Sequence, residues 1–237
     1  MNDTLYFRQL KGGREFAKGD PVATQMDNFV YLIGDKRAGE CLVVDPAWDV
    51  QGILDVAAAD DMTVTGALVT HWHPDHVGGP LFGHDVQGLA EFVALNPSPV
   101  YVHRGDADMV CSMTGLSTSD LTRHDSGHVV RAGEVEIECL HTPGHTAGSQ
   151  CFRCKNALIA GDTLFLQGCG RLDLPTADVD EMYRTLNTRL AKLPPEIVLY
   201  PGHDYGHVPH APLGEVRKTN AYLQVPNLET WRRLMGA

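Results

Sequence analysis

The feature that most constrains this chain is a run of six residues that holds four potential metal ligands, His71-Trp72-His73-Pro74-Asp75-His76. The short apolar segment Ala67–Thr70 precedes the run and predicts a buried strand that ends at it. A turn at a strand end can direct the first two histidines toward one point and the Asp-His pair toward a neighbouring point. Because neutral imidazole and carboxylate are ligands that zinc and similar cations accept, the run predicts a metal site directly after this strand.

Three further candidate ligands each follow a predicted strand and stand next to a glycine. They are His145 in Thr-Pro-Gly-His-Thr, Asp162 in Ala-Gly-Asp-Thr and His203 in Tyr-Pro-Gly-His-Asp-Tyr. All seven candidates together predict two sets of ligands: His71, His73 and His145 for one ion, and Asp75, His76 and His203 for the other. Asp162 could bridge both ions because a carboxylate has two oxygens. Each ion keeps an open position for water, which is the arrangement of a catalytic site.

Predicted strands and helices alternate along the chain, which favours a layered α/β domain. The predicted strands are Tyr6–Leu10, Asn28–Ile33, Cys41–Asp45, Ala67–Thr70, Pro99–His103, Glu134–Leu140, Ser149–Arg153, Ala157–Ala160 and Ile197–Tyr200. The predicted helices are Val50–Ala59, Gly105–Met113, Val179–Leu193, Glu215–Leu223 and Leu228–Met235. The segment Gly78–Pro99 has weak periodicity, and we interpret it as a loop with a short helix over Val86–Leu95 that could cover the site.

Charge and composition argue against several classes of partner. The formal net charge of −11 and the absence of a Lys/Arg run make nucleic acid a poor partner. The longest apolar stretches are too short to cross a bilayer, and the first residues lack the pattern of a secretion signal. Six cysteines in this context indicate reduced thiols, so we expect a cytoplasmic protein that acts on a small molecule. Cys151 and Cys154 would face opposite sides of a strand, which disfavours a redox pair. The sequence gives no indication of the oligomeric state.

The ordered motifs THWHPDH, TPGHT, GDTLF and PGHDYG resemble those of the metallo-β-lactamase superfamily, over about Val30 to Tyr205. The resemblance implies an α/β (α+β) fold, a four-layer αββα sandwich with the metal ions at one edge. We expect a single domain over residues 1–237, with a short helical C-terminal extension from about residue 213. Asp45, in Val-Asp-Pro, matches a buried aspartate that supports the metal-binding loop in this family, where it orients the ligands from behind.

Within the superfamily, two branches are disfavoured. The oxygen-reducing diiron branch has a His-x-Glu-x-Asp pattern, which this chain lacks, and the nearest true β-lactamases lack the bridging aspartate present here as Asp162. The stretches Gly161–Phe165 and Gly168–Arg171 are similar to hydroxyacylglutathione hydrolases (glyoxalase II) and to persulfide dioxygenases. The dioxygenases bind one iron through the equivalents of His71, His145 and Asp162. Glyoxalase II proteins also carry a helical C-terminal domain with basic residues for glutathione, whereas only residues 204–237 follow the last ligand here.

The resemblance leads us to expect a metallohydrolase that uses a metal-bridging hydroxide on a thioester, ester or lactone. Two divalent ions are expected, with zinc favoured and iron or manganese as alternatives. Asp75 would orient the nucleophile and carry a proton, Arg171 would hold a substrate carboxylate, and Tyr205 would donate to a substrate oxygen. Two other functions stay open: a mononuclear iron persulfide dioxygenase, and a metal-binding protein without catalytic activity.

Overall fold

Two six-stranded mixed sheets face each other in the computed structural model, which describes residues 4–236. The strands are β1 Leu5–Lys11, β2 Phe29–Asp35, β3 Glu40–Val44, β4 Thr63–Leu68, β5 Gly79–Leu81, β6 His84–Val86, β7 Val100–His103, β8 Leu121–His124, β9 Val129–Ala132, β10 Val135–His141, β11 Gln150–Cys154, β12 Ala157–Gly161, β13 Val198–Pro201 and β14 Ala211–Pro212. The first sheet has the order β1-β2-β3-β4-β7-β8, and the second has the order β14-β13-β12-β11-β10-β9. Strands β5 and β6 form a separate small hairpin.

Helices cover the outer face of each sheet. They are α1 Pro21–Met26, α2 Val50–Ala59, α3 Pro74–Val77, α4 Leu89–Leu95, α5 Ala107–Thr114, α6 Val179–Arg184, α7 Leu213–Thr219 and α8 Leu228–Met235. Helix α6 continues through a π-helical turn at Thr185–Arg189 and a 3-10 turn at Leu190–Lys192, and a further 3-10 turn spans Ala221–Gln224. The Asp49 side chain caps α2 by accepting from the Gly52 N–H at 2.9 Å, as its position in the sequence predicts.

Alternating side chains divide the apolar core into three layers. In β2, Val30 and Leu32 pack with the helices outside the first sheet, whereas Tyr31 and Ile33 pack between the two sheets. A third cluster lies outside the second sheet, where Met182 of α6, Val216 of α7 and Trp231 of α8 cover its strands. Helices, sheet, sheet and helices therefore form four layers, and the predicted αββα fold is confirmed.

Cys151 and Cys154 illustrate the same alternation. Cys151 belongs to the outer cluster of the second sheet, and Cys154 belongs to the cluster between the sheets. The prediction that they face opposite sides is confirmed, and both thiols are buried.

The sequence did not predict several short elements. The segment Gly78–Pro99 contains the β5–β6 hairpin as well as the predicted short helix, which begins at Leu89. Strands β8 and β9 were also missed, because both are short and expose polar residues such as Arg123 and Arg131. Within residues 4–236, no helix combines the length and apolar character that a bilayer span requires.

Strand direction places one set of strand ends at a common edge of the sandwich. Strands β3 and β4 are parallel, as are β12 and β13, and β10 runs with them because two antiparallel pairings separate it from β12. Backbone hydrogen bonds join the two sheets at this edge, from Gln150 N to Thr70 O at 2.9 Å and from Phe29 N to Gly202 O at 2.8 Å. Loops that leave these strands therefore meet in one place.

The packing of helix α8 in the third core layer predicts how much Trp231 contributes to the free energy of unfolding. Trp231 is fully buried, and its indole N–H donates to Val179 O at 2.8 Å. Trp231→Ala should lower the free energy of unfolding by about 3–5 kcal/mol, because it leaves a large cavity. Urea denaturation measures this change. Leu234→Ala on the same helix is the control, since Leu234 is 56% exposed and its loss should cost less than about 0.5 kcal/mol. Equal effects of the two substitutions would contradict the packing described.

Candidate metal centre

Seven ligand-type side chains come together at the common edge, all carried by segments that follow a strand. The run of four follows β4, and the other three follow β10, β12 and β13: His71, His73, Asp75, His76, His145, Asp162 and His203. The glycine before His203 is required by this crowding, because a Cβ at Gly202 would lie 2.4 Å from Asp162 Oδ1. The structure thus places the seven candidate ligands of the sequence at one edge of the sandwich.

The first set of ligands is formed by three buried histidines. One nitrogen from each of His71, His73 and His145 lies within 4.8 Å of the other two. The closest approach is between His145 Nε2 and His73 Nδ1, at 2.9 Å. Three imidazoles that converge in this way form a site of the kind that binds zinc or a similar cation.

The second set is formed by Asp75, His76 and His203, which also present ligand atoms within 4.8 Å of one another. Asp75 Oδ2 lies 3.3 Å from Nε2 of each histidine. Asp162 lies between the two sets. Its Oδ1 is 3.4 Å from both His76 Nε2 and His203 Nε2, and its Oδ2 is 3.8 Å from His145 Nε2. One carboxylate thus lies within reach of both sets.

The outer nitrogen of four histidines contacts a protein oxygen, which fixes the orientation of each ring. His145 Nδ1 lies 2.8 Å from Arg171 O, and His203 Nδ1 lies 2.7 Å from Met26 O. His76 Nδ1 lies 3.0 Å from Asp45 Oδ2. His71 Nδ1 lies 3.0 Å from Thr70 Oγ1, whose own hydroxyl donates to Asp45. When the Nδ1–H groups donate outward, the Nε2 lone pairs point inward.

Some of the ligand atoms lack a hydrogen-bond partner in the described part of the chain. His71 Nε2 and Asp162 Oδ1 are buried, and neither has a hydrogen-bond partner within residues 4–236. Buried lone pairs that face one another are unfavourable unless positive charge is placed among them. The donor set of imidazole nitrogens and carboxylate oxygens therefore fits a pair of divalent cations.

The two sets differ in charge. Burial, with help from neighbouring imidazoles, lowers the pKa of His71 well below its ordinary value and that of His73 to about 4. At His203, burial acts in the same direction, but Asp162 and Asp75 outweigh it and raise the pKa of the ring to about 10. The first set therefore offers neutral nitrogens, as metal binding requires. The second set contains carboxylates that attract positive charge strongly.

Asp45 lies behind the second set of candidate ligands. Its carboxylate accepts from Thr70 N at 2.7 Å and from Thr70 Oγ1 at 2.6 Å, and it contacts His76 as described. It is buried, so these contacts fix both the start of the His71–His76 loop and the ring of His76.

The two candidate substrate residues lie in different settings. The Tyr205 ring stacks on His203, with centroids 4.8 Å apart and an interplanar angle of 10°, and it is 57% exposed at the mouth of the site. The Arg171 guanidinium is exposed and pairs with Asp173 at 2.8 Å, while its backbone carbonyl orients His145. Neither role in substrate binding is tested by this geometry, and both stay predictions.

Sequence analysis missed Asn28, which contacts the site directly. Its Nδ2 lies 3.1 Å from Asp75 Oδ2, and its Oδ1 accepts from the Trp48 indole N–H at 3.1 Å. Because the indole can only donate, it fixes which end of the amide faces Asp75. Asn28 directly precedes β2, which runs antiparallel to β3, so the start of β2 lies at the same edge as the ligands. An asparagine before a strand does not by itself indicate a metal site. An isolated β-bridge between Asn28 and His203 places the Asn28 side chain beside the ligands.

Comparison with known proteins identifies a family. The family model described as metallo-beta-lactamase superfamily matches residues 23–203. The chain is 30% identical over 203 residues to "Probable polyketide biosynthesis zinc-dependent hydrolase BaeB" from Bacillus velezensis, covering 85% of this chain and 84% of that protein. It is 35% identical over 182 residues to a hydroxyacylglutathione hydrolase from Polaromonas, covering 75% of this chain but only 62% of that protein.

A solved structure has the same fold along almost the whole chain. ETHE1 from Myxococcus xanthus superimposes with a TM-score of 0.78 at 24% identity, covering 98% of this chain and 90% of that one. At this level of identity the likeness concerns the fold alone. It agrees with the four layers described above.

The contact between Asn28 and Asp75 predicts a measurable effect on metal binding. Asn28→Ala should weaken the binding of one zinc ion by roughly 10–100-fold, because Asp75 loses the donor that orients it. Trp48→Phe should have a smaller effect, roughly 2–10-fold, since it removes only the hydrogen bond that orients the amide. Competition with a chromogenic chelator measures both dissociation constants.

Asn187→Ala is the matched control, because that amide bonds to Tyr183 O on a helix outside the site. We expect it to bind zinc as the parent chain does. Unchanged zinc affinity in Asn28→Ala would show that Asn28 does not support the centre.

Proposed function

The chain belongs to the metallo-β-lactamase superfamily, and from that premise we propose that it is a hydrolase of thioesters, esters or lactones that works with two zinc ions. The observation that carries the proposal is the position of Asp162, whose two oxygens reach the two sets of ligands separately. We assign the ions to the sets as follows: His71, His73 and His145 for the first, Asp75, His76 and His203 for the second, and Asp162 for both. When bound, such a pair of cations lowers the pKa of a water and polarises a carbonyl oxygen.

Asp75 is the residue we assign to proton transfer. Its carboxylate is 10% exposed, so it lies at the boundary between the buried ligands and the open side of the site. Asn28 occupies Oδ2 with a hydrogen bond. Asp75 can therefore orient an attacking water and accept its proton at a carboxylate oxygen, which general base catalysis requires.

Tyr205 suits the role of a donor to the substrate. Its ring packs on His203 at one side, and this partial burial, followed by the charges of Asp162 and Asp75, raises the pKa of its hydroxyl to about 12. The phenol therefore keeps its proton at neutral pH and can donate to a carbonyl or leaving-group oxygen. Its ring, packed against Phe165 with centroids 5.3 Å apart, would form an apolar side of the entrance.

Arg171 would act only if a substrate replaced its present partner. Its guanidinium donates two hydrogen bonds to the Asp173 carboxylate, from Nε at 3.0 Å and from Nη2 at 2.8 Å. A substrate carboxylate matches that fork and could take the place of Asp173. We therefore propose Arg171 as a binding residue for acidic substrates alone.

The relatives support the choice of reaction and metal. One is named a zinc-dependent hydrolase, and another is named a hydrolase of hydroxyacylglutathione, which is a thioester. Because the chain matches only 62% of the latter protein, we do not extend glutathione recognition to it. We also propose a cytoplasmic location, since all six cysteines are free thiols.

The second candidate function is the mononuclear iron persulfide dioxygenase. It is favoured by the fact that His71, His145 and Asp162, the three residues such an enzyme would use, also lie together. The dioxygenase function gives no role to Asp75, His76 and His203, although these three side chains are as buried and as close to one another as the first set. We therefore favour the hydrolase.

Metal analysis with an activity panel separates these functions. We expect about two zinc ions per chain, turnover of at least one thioester, ester or lactone, and loss of turnover on chelation that zinc restores. One iron per chain with persulfide-dependent oxygen uptake would establish the dioxygenase instead. Two zinc ions without turnover of any compound in the panel would indicate a metal-binding protein that is not an enzyme.

The role of Asp75 predicts a selective loss of activity. Asp75→Ala should lower kcat by roughly 10²–10⁴-fold, the usual contribution of a general base, while the circular dichroism spectrum stays unchanged. Asp85→Ala is the control, since Asp85 is an exposed carboxylate ten positions along the chain. Near-normal kcat in Asp75→Ala with both metal ions retained would exclude the proposed role.

A further inference from the structure

A buried carboxylate outside the seven ligands joins two of the loops that carry them. Asp106 is 1% exposed and lies at the start of α5, just after β7. Its Oδ2 accepts from Trp72 N at 3.2 Å and from Thr146 Oγ1 at 2.6 Å, and its Oδ1 accepts from Gly148 N at 2.6 Å. Three donors therefore converge on one carboxylate.

Those donors belong to the two loops that carry the first set of ligands, and the first of these loops also carries Asp75 and His76 of the second set. Trp72 lies between His71 and His73, on the loop that leaves the first sheet after β4. Thr146 directly follows His145, on the loop that leaves the second sheet after β10. Asp106 thus fixes the position of one histidine-bearing loop relative to the other.

The close approach of the two chain segments is built into the sequence. A Cβ at Gly148 would lie 2.4 Å from Asp106 N and 2.7 Å from Asp106 Cβ, so only glycine fits there. Asp106 and Gly148 are therefore in direct backbone contact, which holds the Asp106 side chain beside the loop that carries His145.

Asp106 and Asp45 support the centre through different contacts. Asp45 contacts Thr70 and His76, and through Thr70 it orients His71. The side-chain hydrogen bonds of Asp106 go to Trp72, Thr146 and Gly148, on the two loops that carry His73 and His145. Asp45 therefore reaches a ligand of each set, whereas Asp106 joins the two loops of the first set.

We propose that Asp106 is a positioning residue for the first metal site, setting the relative placement of His73 and His145 and so the affinity of that site alone. The proposal rests on the proposed function only in requiring that the centre bind two cations. The second site should keep its affinity when Asp106 is changed, because Asp75, His76 and His203 are held by other contacts.

The charge of Asp106 supports this role. Burial raises the pKa of its carboxyl to about 6, while hydrogen bonds from Thr146, Gly148 and Trp72 limit the rise. The carboxylate form offers only acceptors to its three donors. Asparagine in its place can accept at one position but presents an N–H₂ group where a donor already lies.

The test is a zinc titration of Asp106→Asn in two backgrounds. In His203→Ala, which keeps the first site, we expect Asp106→Asn to weaken zinc binding by roughly 10–100-fold. In His73→Ala, which keeps the second site, we expect a change of less than about threefold. Asp108→Asn is the matched control, because Asp108 is exposed on the same helix two positions away. Circular dichroism and a chelator competition assay are recorded for every variant.

Equal losses in both backgrounds, or no loss in either, would overturn the proposal. If Asp106→Asn does not fold, Thr146→Val removes a single donor and should weaken the first site by roughly 2–10-fold in the His203→Ala background. No change in zinc affinity in that variant would also overturn the proposal.

A chain that binds two zinc ions but hydrolyses nothing would refute the proposed function without affecting this inference. A hydrolase whose Asp106→Asn variant keeps both affinities would refute this inference alone.

Discussion

The structure depends on a buried group of imidazole nitrogens and carboxylate oxygens that point at one another and need positive charge among them. Four rings contact protein oxygens through Nδ1, which turns Nε2 inward. Burial removes the water that would otherwise satisfy these atoms. Folding must therefore supply the energy that holds the group together, and the three apolar layers of the sandwich provide it. The cations would then be bound to a site that is already in place.

Much of this was predictable, because the informative residues have few other roles. Four ligands within six residues are rare by chance, and each later ligand follows an apolar strand next to a glycine. Gly202 shows why that spacing recurs, since its missing side chain leaves room for Asp162. The alternation that divides β2 between two core layers also follows from its sequence. The set of seven candidate ligands and a layered α/β domain were therefore expected from the residues themselves, whereas the four layers were expected only from the resemblance to the family.

The supporting residues could not be predicted in the same way. Asn28 and Asp106 are types that ordinarily form turns and helix caps, so neither attracts attention in a sequence. Their importance comes from contacts across 47 positions to Asp75 and 42 positions to Gly148. The first contact joins two segments at the edge of one sheet, and the second joins loops from the two sheets, so both depend on the complete fold. The β5–β6 hairpin was missed for a related reason, because a three-residue strand has too little periodicity to be distinguished from a loop.

The most direct test of the account is anomalous diffraction at the zinc edge from crystals of the zinc-loaded protein. The account predicts two peaks per chain, one among His71, His73 and His145 and the other among Asp75, His76 and His203, with Asp162 in contact with both. A single peak, or peaks placed away from these seven side chains, would contradict the central claim that the sandwich edge holds a pair of cations.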